Sequence, residues 1–430
     1  MLHKDNSLLG MIKRVGLICI LFGHFLGHGQ MVSEVMEPIS CPATFLDAHT
    51  SLNFPSPQAR IATTASFEAT YENVPAEAQE AFAFAMEIWG KMLVSSVPIR
   101  IKVTFSTLAS TTLASSGATR IFRDFPNAPF RSVWYPVALA ESIRGAELNN
   151  RETDINITIN QTIRWNYRTD ARPVSGSFDF VTVVLHEIGH GLGFVSSFKA
   201  NTANATQGEY GQSGFPFVFD LFIQNTTGQN LSDTGLFGNP STDLLGQLTG
   251  GQLQFSLSGI RRITPLPRLF APNPFSAGNS ISHLNESSYP IGNVNSLMTP
   301  NVRTAEVIHQ PGDLTRRILN QIGWSVSNLV DGLVTQLNPP EPELIVFPNP
   351  AQDEVQVHVP AKWANRAILI QMRDVTGREV FQATNMAQNE PLRIPIHTLP
   401  GGMYTITFGV DRESCITKRL VVLPTTNPKR

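Results

Sequence analysis

The sequence predicts an α+β protein, a twisted sheet with helices packed on it and a loop-rich insertion, followed by a small all-β, immunoglobulin-like sandwich. Three observations predict it. Stretches of helical and of alternating apolar period succeed one another over the first half of the chain, the pattern of helices laid on one sheet. From Ala200 to about Ser280 the chain is rich in Gly, Asn, Thr and Pro, with short apolar pieces such as Phe215-Pro216-Phe217-Val218-Phe219, as in an insertion built of loops and one or two hairpins. Beyond residue 345 short alternating segments are separated by turn signals, the mark of a sandwich.

The elements follow in order. Lys4, Lys13 and Arg14 precede the apolar run Val15 to Phe22, which reads as a secretory signal over 1–30 and is too short to span a bilayer. Residues 31–60 look irregular. Pro75 to about Ser95 carries Ala78, Phe82, Ala85, Met86, Trp89 and Met92 at helical spacing, a core-facing stripe. Ile99, Ile101, Val103 and Phe105 alternate with polar residues and predict a half-buried strand. Ile155, Ile157 and Ile159 predict another. Leu314 to Ile322 reads as a closing helix that ends at Gly323-Trp324. Pro339-Pro340-Glu341-Pro342 makes a stiff linker. Strands are expected at Val355–Val359, Ala367–Arg373, Arg378–Gln382, Tyr404–Phe408 and Lys418–Leu423. The boundaries are therefore a signal at 1–30, a first domain at 31–335 with its insertion at about 197–282, a linker at 336–344 and the sandwich at 345–430.

A net charge of −2 with 15% charged residues leaves no basic footprint, so nucleic acid is excluded as a partner. No other segment is long and apolar enough for stable membrane insertion. Of three cysteines, Cys19 lies in the signal, while Cys41 and Cys415 fall in different domains, so no disulfide scaffold is expected. Cys41 reads as a free or buried thiol, with a thiolate capping a metal as the alternative.

The chemistry concentrates at His186-Glu187-Ile188-Gly189-His190. Residues four apart share a helix face, so His186 and His190 can present their imidazoles to one metal ion, with the Glu187 carboxylate beside it as a general base. Ser177 or Asp179 can cap the helix, and Val181, Val184, Leu185, Ile188 and Leu192 form its buried stripe. The histidines lie off that stripe, toward an expected open side. Gly191 and Gly193 mark the helix stop, Gly193 as the terminating residue.

A catalytic zinc ion takes three protein ligands and keeps one position open. In the common metzincin signature the third histidine comes six residues after the second, where this chain has Ser196. The best candidate is His283, with Glu209 and Asp220 as rivals, and Ser296-Leu297-Met298-Thr299-Pro300 follows. His309 is expected at the surface. In the order of His186, His190, His283, Met298 and Gly323-Trp324, residues 77–325 resemble the leishmanolysin-type metzincins. The resemblance implies a metzincin-like catalytic domain in which His186, His190 and His283 bind Zn2+ and Glu187 is the general base. It also implies a methionine turn in which Met298 floors the site, and a cleft edge at Ile155–Ile159. Eukaryotic members are disulfide-rich and this chain is not, which separates their loop architecture from this one.

Four further pieces lie in order at the chain end: Val346-Phe347-Pro348-Asn349-Pro350, Asp374 to Val380, Leu399 to Tyr404 and Lys418 to Val422. They resemble the sorting domain of the Bacteroidota type IX secretion system. That resemblance implies a passenger exported through the periplasm, recognised by the type IX machinery, and released or held at the cell surface. The two resemblances together lead to the expectation of a secreted zinc endopeptidase acting on protein or peptide substrates. The alternative is a cell-surface adhesin or binding protein with a non-catalytic zinc site.

Overall fold

The computed structural model describes residues 31–52, 64–201, 206–257, 265–330, 333–337 and most of 344–424, with short gaps in the last stretch. The expected signal at 1–30 and the Pro339–Pro342 linker lie outside the described residues.

Elements of the first domain come in the order β1 (Val32–Glu34), β2 (Ile39–Thr44), β3 (Thr50–Leu52), β4 (Phe67–Glu72), α1 (Ala76–Met92), β5 (Leu93–Val94), β6 (Ile99–Ser106), β7 (Thr112–Ala118), β8 (Ile121–Arg123), β9 (Tyr135–Pro136), α2 (Val137–Arg144), β10 (Ile155–Asn160) and α3 (Phe180–Gly191). Residues 31–52 are thus not irregular as their composition suggests. Scattered Pro and Ser hide strands whose partners lie far away in sequence.

The main sheet has the order Val302–Arg303, β2, β7, β10, β6, β4. β4, β6 and β10 run parallel, β7 runs against β10, and β2 runs against β7. Ile99, Ile101, Val103 and Phe105 are buried while Lys102 is exposed, the alternation expected of a strand with one covered face. Ile155–Ile159 is not the cleft edge. It pairs with β6 on one side and β7 on the other, because strands come together in space in an order that chain order does not disclose.

Above the sheet lies α3, packed on α1, β7 and β10. Asp179 caps it by accepting from the Thr182 amide at 2.8 Å. Every residue from Phe180 to Gly191 is buried, so the expected open side of this helix does not exist. Donors from outside reach carbonyl oxygens of the helix and of its C-cap: Trp89 Nε1 to Leu185, Ser116 Oγ of β7 to Glu187, and Trp324 Nε1 to the capping Leu192. Gly191 faces the Ile155 side chain so closely that a methyl group there would overlap it. The closing helix runs Gly312–Ile322 and delivers the buried Trp324.

Within the insertion, Lys199–Ala200 pairs with Gly208–Glu209 and Ile223–Asn225 with Leu253–Phe255. A helix at Thr242–Leu248, capped by Ser241, also forms there; its two turns are too short to set up a readable apolar period. The C-terminal region is all β. One sheet pairs Ile345–Phe347, Glu354–His358 and Leu392–Pro395; the other has the order Glu379–Met386, Ala367–Asp374, Gly402–Val410, Ser414–Val422. It has its own core around Val355, Trp363, Ile370, Ile406 and Phe408.

Gly191→Ala is expected to destabilise the protein by about 1–3 kcal/mol, the usual cost of overpacking a filled interior. A urea-denaturation midpoint equal to that of the wild type would show that Ile155 can move aside.

Candidate metal centre

The side chains of His186 and His190 leave α3 one turn apart and meet His283 from the end of the insertion. Their Nε2 atoms are separated by 3.0 Å (His186–His190), 3.2 Å (His190–His283) and 3.3 Å (His186–His283). All three residues are fully buried.

What each ring does with its other nitrogen decides the chemistry. Nδ1 of His186 faces the Leu297 carbonyl at 2.7 Å, Nδ1 of His190 the Phe194 carbonyl at 2.8 Å, and Nδ1 of His283 the Asn279 carbonyl at 2.8 Å. A carbonyl oxygen only accepts, so each Nδ1 carries the proton and donates it. The three Nε2 atoms then present lone pairs to one another with no proton between them. A cation among them removes that mutual repulsion, and backbone-anchored imidazoles are how proteins hold metal ions. Burial holds the rings neutral, lowering His186 to about 4 and His283 to about 3, and displacing His190 downward as well.

Local folding explains each anchor. Gly193, at φ +111°, takes the backbone conformation that most side chains avoid and turns the chain so that the Phe194 carbonyl points back at His190. Met298 is buried against Gly189, between the two helix histidines, and its carbonyl accepts from the Leu284 amide next to His283. Two residues before His283, Ile281 is held at φ +70°, a costly conformation for a β-branched residue.

The residue in the Ser196 position acts through its neighbours. Buried Asp220 accepts from Ser196 Oγ, from the Ser197 amide and hydroxyl, and from the Phe217 amide. The Ser196 amide in turn donates to Ser282 Oγ, adjacent to His283. Asp220 therefore does not join the histidines but organises the loop beside them; burial lifts its carboxyl to about 6. Glu209 is engaged by Asn201 and Lys199 and is likewise outside the cluster. His309 is not at the surface. It is buried, and its Nε2 donates to Asp179 Oδ1 at 2.9 Å, tying the cap of α3 to the strand after Met298. The sequence held no sign of this pairing because its partners stand 130 residues apart.

Glu187 projects from α3 beside His186. Both carboxylate oxygens are buried and without a hydrogen-bond partner among the described residues, and burial pushes the group well above the ordinary carboxylate range. A third side chain joins it: the Sγ of Cys41, on β2, stands within 4.8 Å of ligand atoms of both His186 and Glu187. Cys41 is fully buried. Its thiol is raised first by burial and then by the nearness of Glu187 and Glu306. A separate cavity of about 390 Å³, lined by Thr249, Phe270, Asn285 and Glu286 among others, contains none of these residues.

Comparison with known proteins bears on the two ends of the chain differently. Residues 345–423 match the secretion system C-terminal sorting domain. The C-terminal region is a type IX sorting domain. The protein is accordingly exported by that system to the cell surface or the medium, and its sorting domain engages the secretion machinery. Among the described residues no helix is long and apolar enough to cross a membrane. Residues 69–233, which include His186, Glu187 and His190, match the SPBPB7E8-like family. No curated protein matches the chain. Among solved structures, dimeric latent PorU from Porphyromonas gingivalis aligns at 14% identity and a TM-score of 0.17 over 24% of this chain. The chain spans 12% of that structure's length, and the likeness carries no argument about the site.

Asp220→Ala would leave the part-buried Ser197 amide and the buried Phe217 amide without acceptors, for an expected loss of about 2–4 kcal/mol in urea denaturation. An unchanged midpoint would mean that water takes over the carboxylate's role.

Proposed function

We propose that the protein is an exported zinc-dependent endopeptidase of leishmanolysin-like, metzincin type. The observation that carries this reading is the convergence of three proton-free Nε2 atoms beside a buried, unpartnered glutamate. Three nitrogens around a tetrahedral zinc ion at about 2.0–2.1 Å stand about 3.3–3.4 Å apart, close to the observed spacings. The donor set of three neutral imidazoles suits zinc and leaves room for a fourth ligand.

His186, His190 and His283 would hold the ion through Nε2, while the Leu297, Phe194 and Asn279 carbonyls fix their tautomers. Bound zinc supplies a Lewis acid that polarises the scissile carbonyl and makes water more acidic. Glu187 takes the proton of the attacking water and hands it to the leaving amine, which restores the carboxylate for the next cycle. Met298 packs against Gly189, the residue between the two helix histidines, where a larger side chain would not fit.

A second reading, a binding protein with a structural zinc site, draws on one observation. Cys41 stands beside His186 and Glu187 and is the protein thiol nearest to a role in such a site. Against it, a closed structural site has no use for the orphan carboxylate of Glu187, whose burial is costly.

The deciding experiment measures zinc content and casein hydrolysis together. Glu187→Gln should keep its zinc and lose about 10²–10⁴-fold in hydrolysis, the range of a missing general base. Retention of full activity by this variant would sink the mechanism. His283→Ala should lose both metal and hydrolysis. Zinc content equal to that of the wild type would show that His283 is not a ligand.

A further inference from the structure

We propose that the stretch joining α2 to β10 holds a calcium ion, with Glu141 Oε2, Glu147 Oε2 and Asn149 Oδ1 as its side-chain ligands. Each of these oxygens is the half of its side chain that the surrounding donors leave over. Glu141 is 1% exposed, and its Oε1 accepts from the Leu148 amide at 2.7 Å and the Asn149 amide at 3.2 Å. Glu147 gives its Oε1 to Nη1 of Arg100 at 2.8 Å. Asn149 is 5% exposed, and its Nδ2 faces Asp154 Oδ1 at 2.7 Å, with the Glu152 and Thr153 carbonyls also within reach. Three acceptors around that nitrogen fix which end of the amide is which, so the atom turned the other way is the oxygen. All three leftover oxygens are buried, and none has a hydrogen-bond partner among the described residues.

A buried acceptor needs a donor or a cation. The donors at hand are engaged elsewhere. Arg100 divides its guanidinium between Glu147 and Glu68 and gives its amide to Asp154, and Arg144 donates to the Glu147 carbonyl. A water molecule has two protons to give, fewer than the oxygens to be met, whereas one divalent cation serves all of them. The charge agrees with a cation. Burial lifts the Glu141 carboxyl to about 7 and that of Asp154 to about 6, and the negative charge of Glu147 adds to both.

Carboxylate and amide oxygens, with no nitrogen or sulfur among them, are the donor set of a hard ion. Calcium takes such oxygens in a large, adaptable shell completed by water, while magnesium demands a near-ideal octahedron. The place suits a structural ion. Glu141 stands on α2, Arg100 on β6, and Asp154 directly before β10, whose Ile155 packs against Gly191 of α3. Calcium here fixes the seam between α2 and the centre of the main sheet. Outside the cell, even weak sites of this kind are filled.

The test is a calcium titration of the full chain, with zinc supplied throughout, in buffer freed of calcium by a chelating resin. Calorimetry should show a single calcium bound with a Kd of about 10⁻⁴–10⁻³ M. Addition of about 10 mM CaCl2 should raise Tm by roughly 3 °C or more. Glu141→Gln keeps the acceptor for the two loop amides and loses the charge, so it should bind no calcium. In calcium-free buffer it should melt no lower than the wild type, because an uncompensated buried charge has been removed. A carboxylate that serves the loop's hydrogen bonds alone would instead give a variant of lower Tm in both buffers, and that result would overturn the proposal. Glu147→Gln, at a side chain 24% exposed, gives a second loss of calcium binding should the first variant fail to fold. No binding by the wild type, binding retained by both variants, or an equal rise of Tm with MgCl2 would each overturn it as well.

Discussion

Three imidazoles whose outer nitrogens are tied to backbone carbonyls, and whose inner nitrogens face one another without protons, are the constraint around which the first domain is arranged. Burying one unprotonated imidazole is ordinary. Burying three with lone pairs converging within 3.3 Å of each other needs each ring held from behind. The carbonyls that do so come from three places: the turn that ends α3, the close of the insertion, and the turn containing Met298. Much of the irregular structure between Phe194 and Met298 serves to bring the second and third of these to the first.

That division of labour accounts for where the backbone is regular and where it is not. The sheet and α1 are ordinary packing, with apolar residues at strand and helix period filling one continuous core. The turns that carry the anchors include residues outside the usual backbone regions, Gly193 and Ile281. Strain gathers where a carbonyl has to be aimed. Asp179 and Asp220 act one layer further out. The first fixes the start of α3 and receives His309; the second fixes the loop that follows it and, through Ser196 and Ser282, borders His283.

How much of this the sequence disclosed depends on the range of the interactions involved. The helix at Ala76–Met92, the strands at Ile99 and Ile155, α3 with its Asp179 cap, and the C-terminal strands all announce themselves through local period and turn chemistry. The adjacency of His186 and His190 follows from helix geometry alone. Nothing local marks β2: Ile-Ser-Cys-Pro-Ala-Thr has neither a clear apolar period nor strong strand formers at its end. The edge role expected of Ile155–Ile159 failed for the same reason, since the strands that flank β10 are fixed by tertiary pairing. His309 read as a surface residue because its carboxylate partner is remote. The open side expected of α3 is closed because elements remote in sequence, β2 among them, pack against the helix.

The pairing of β2 has a consequence for the order in which the domain assembles. Val302 meets Ala43 across about 260 residues of chain, and Glu306 meets Thr50 across a similar span. Loop closure over such distances is entropically slow and comes after local elements are in place. A strand made at the start of the domain therefore waits for nearly all of it before it can be seated. Until then β7 offers an unpaired edge, which other chains could join. An exported polypeptide of this kind has, in β2 near the start of its first domain, the piece that covers this edge last.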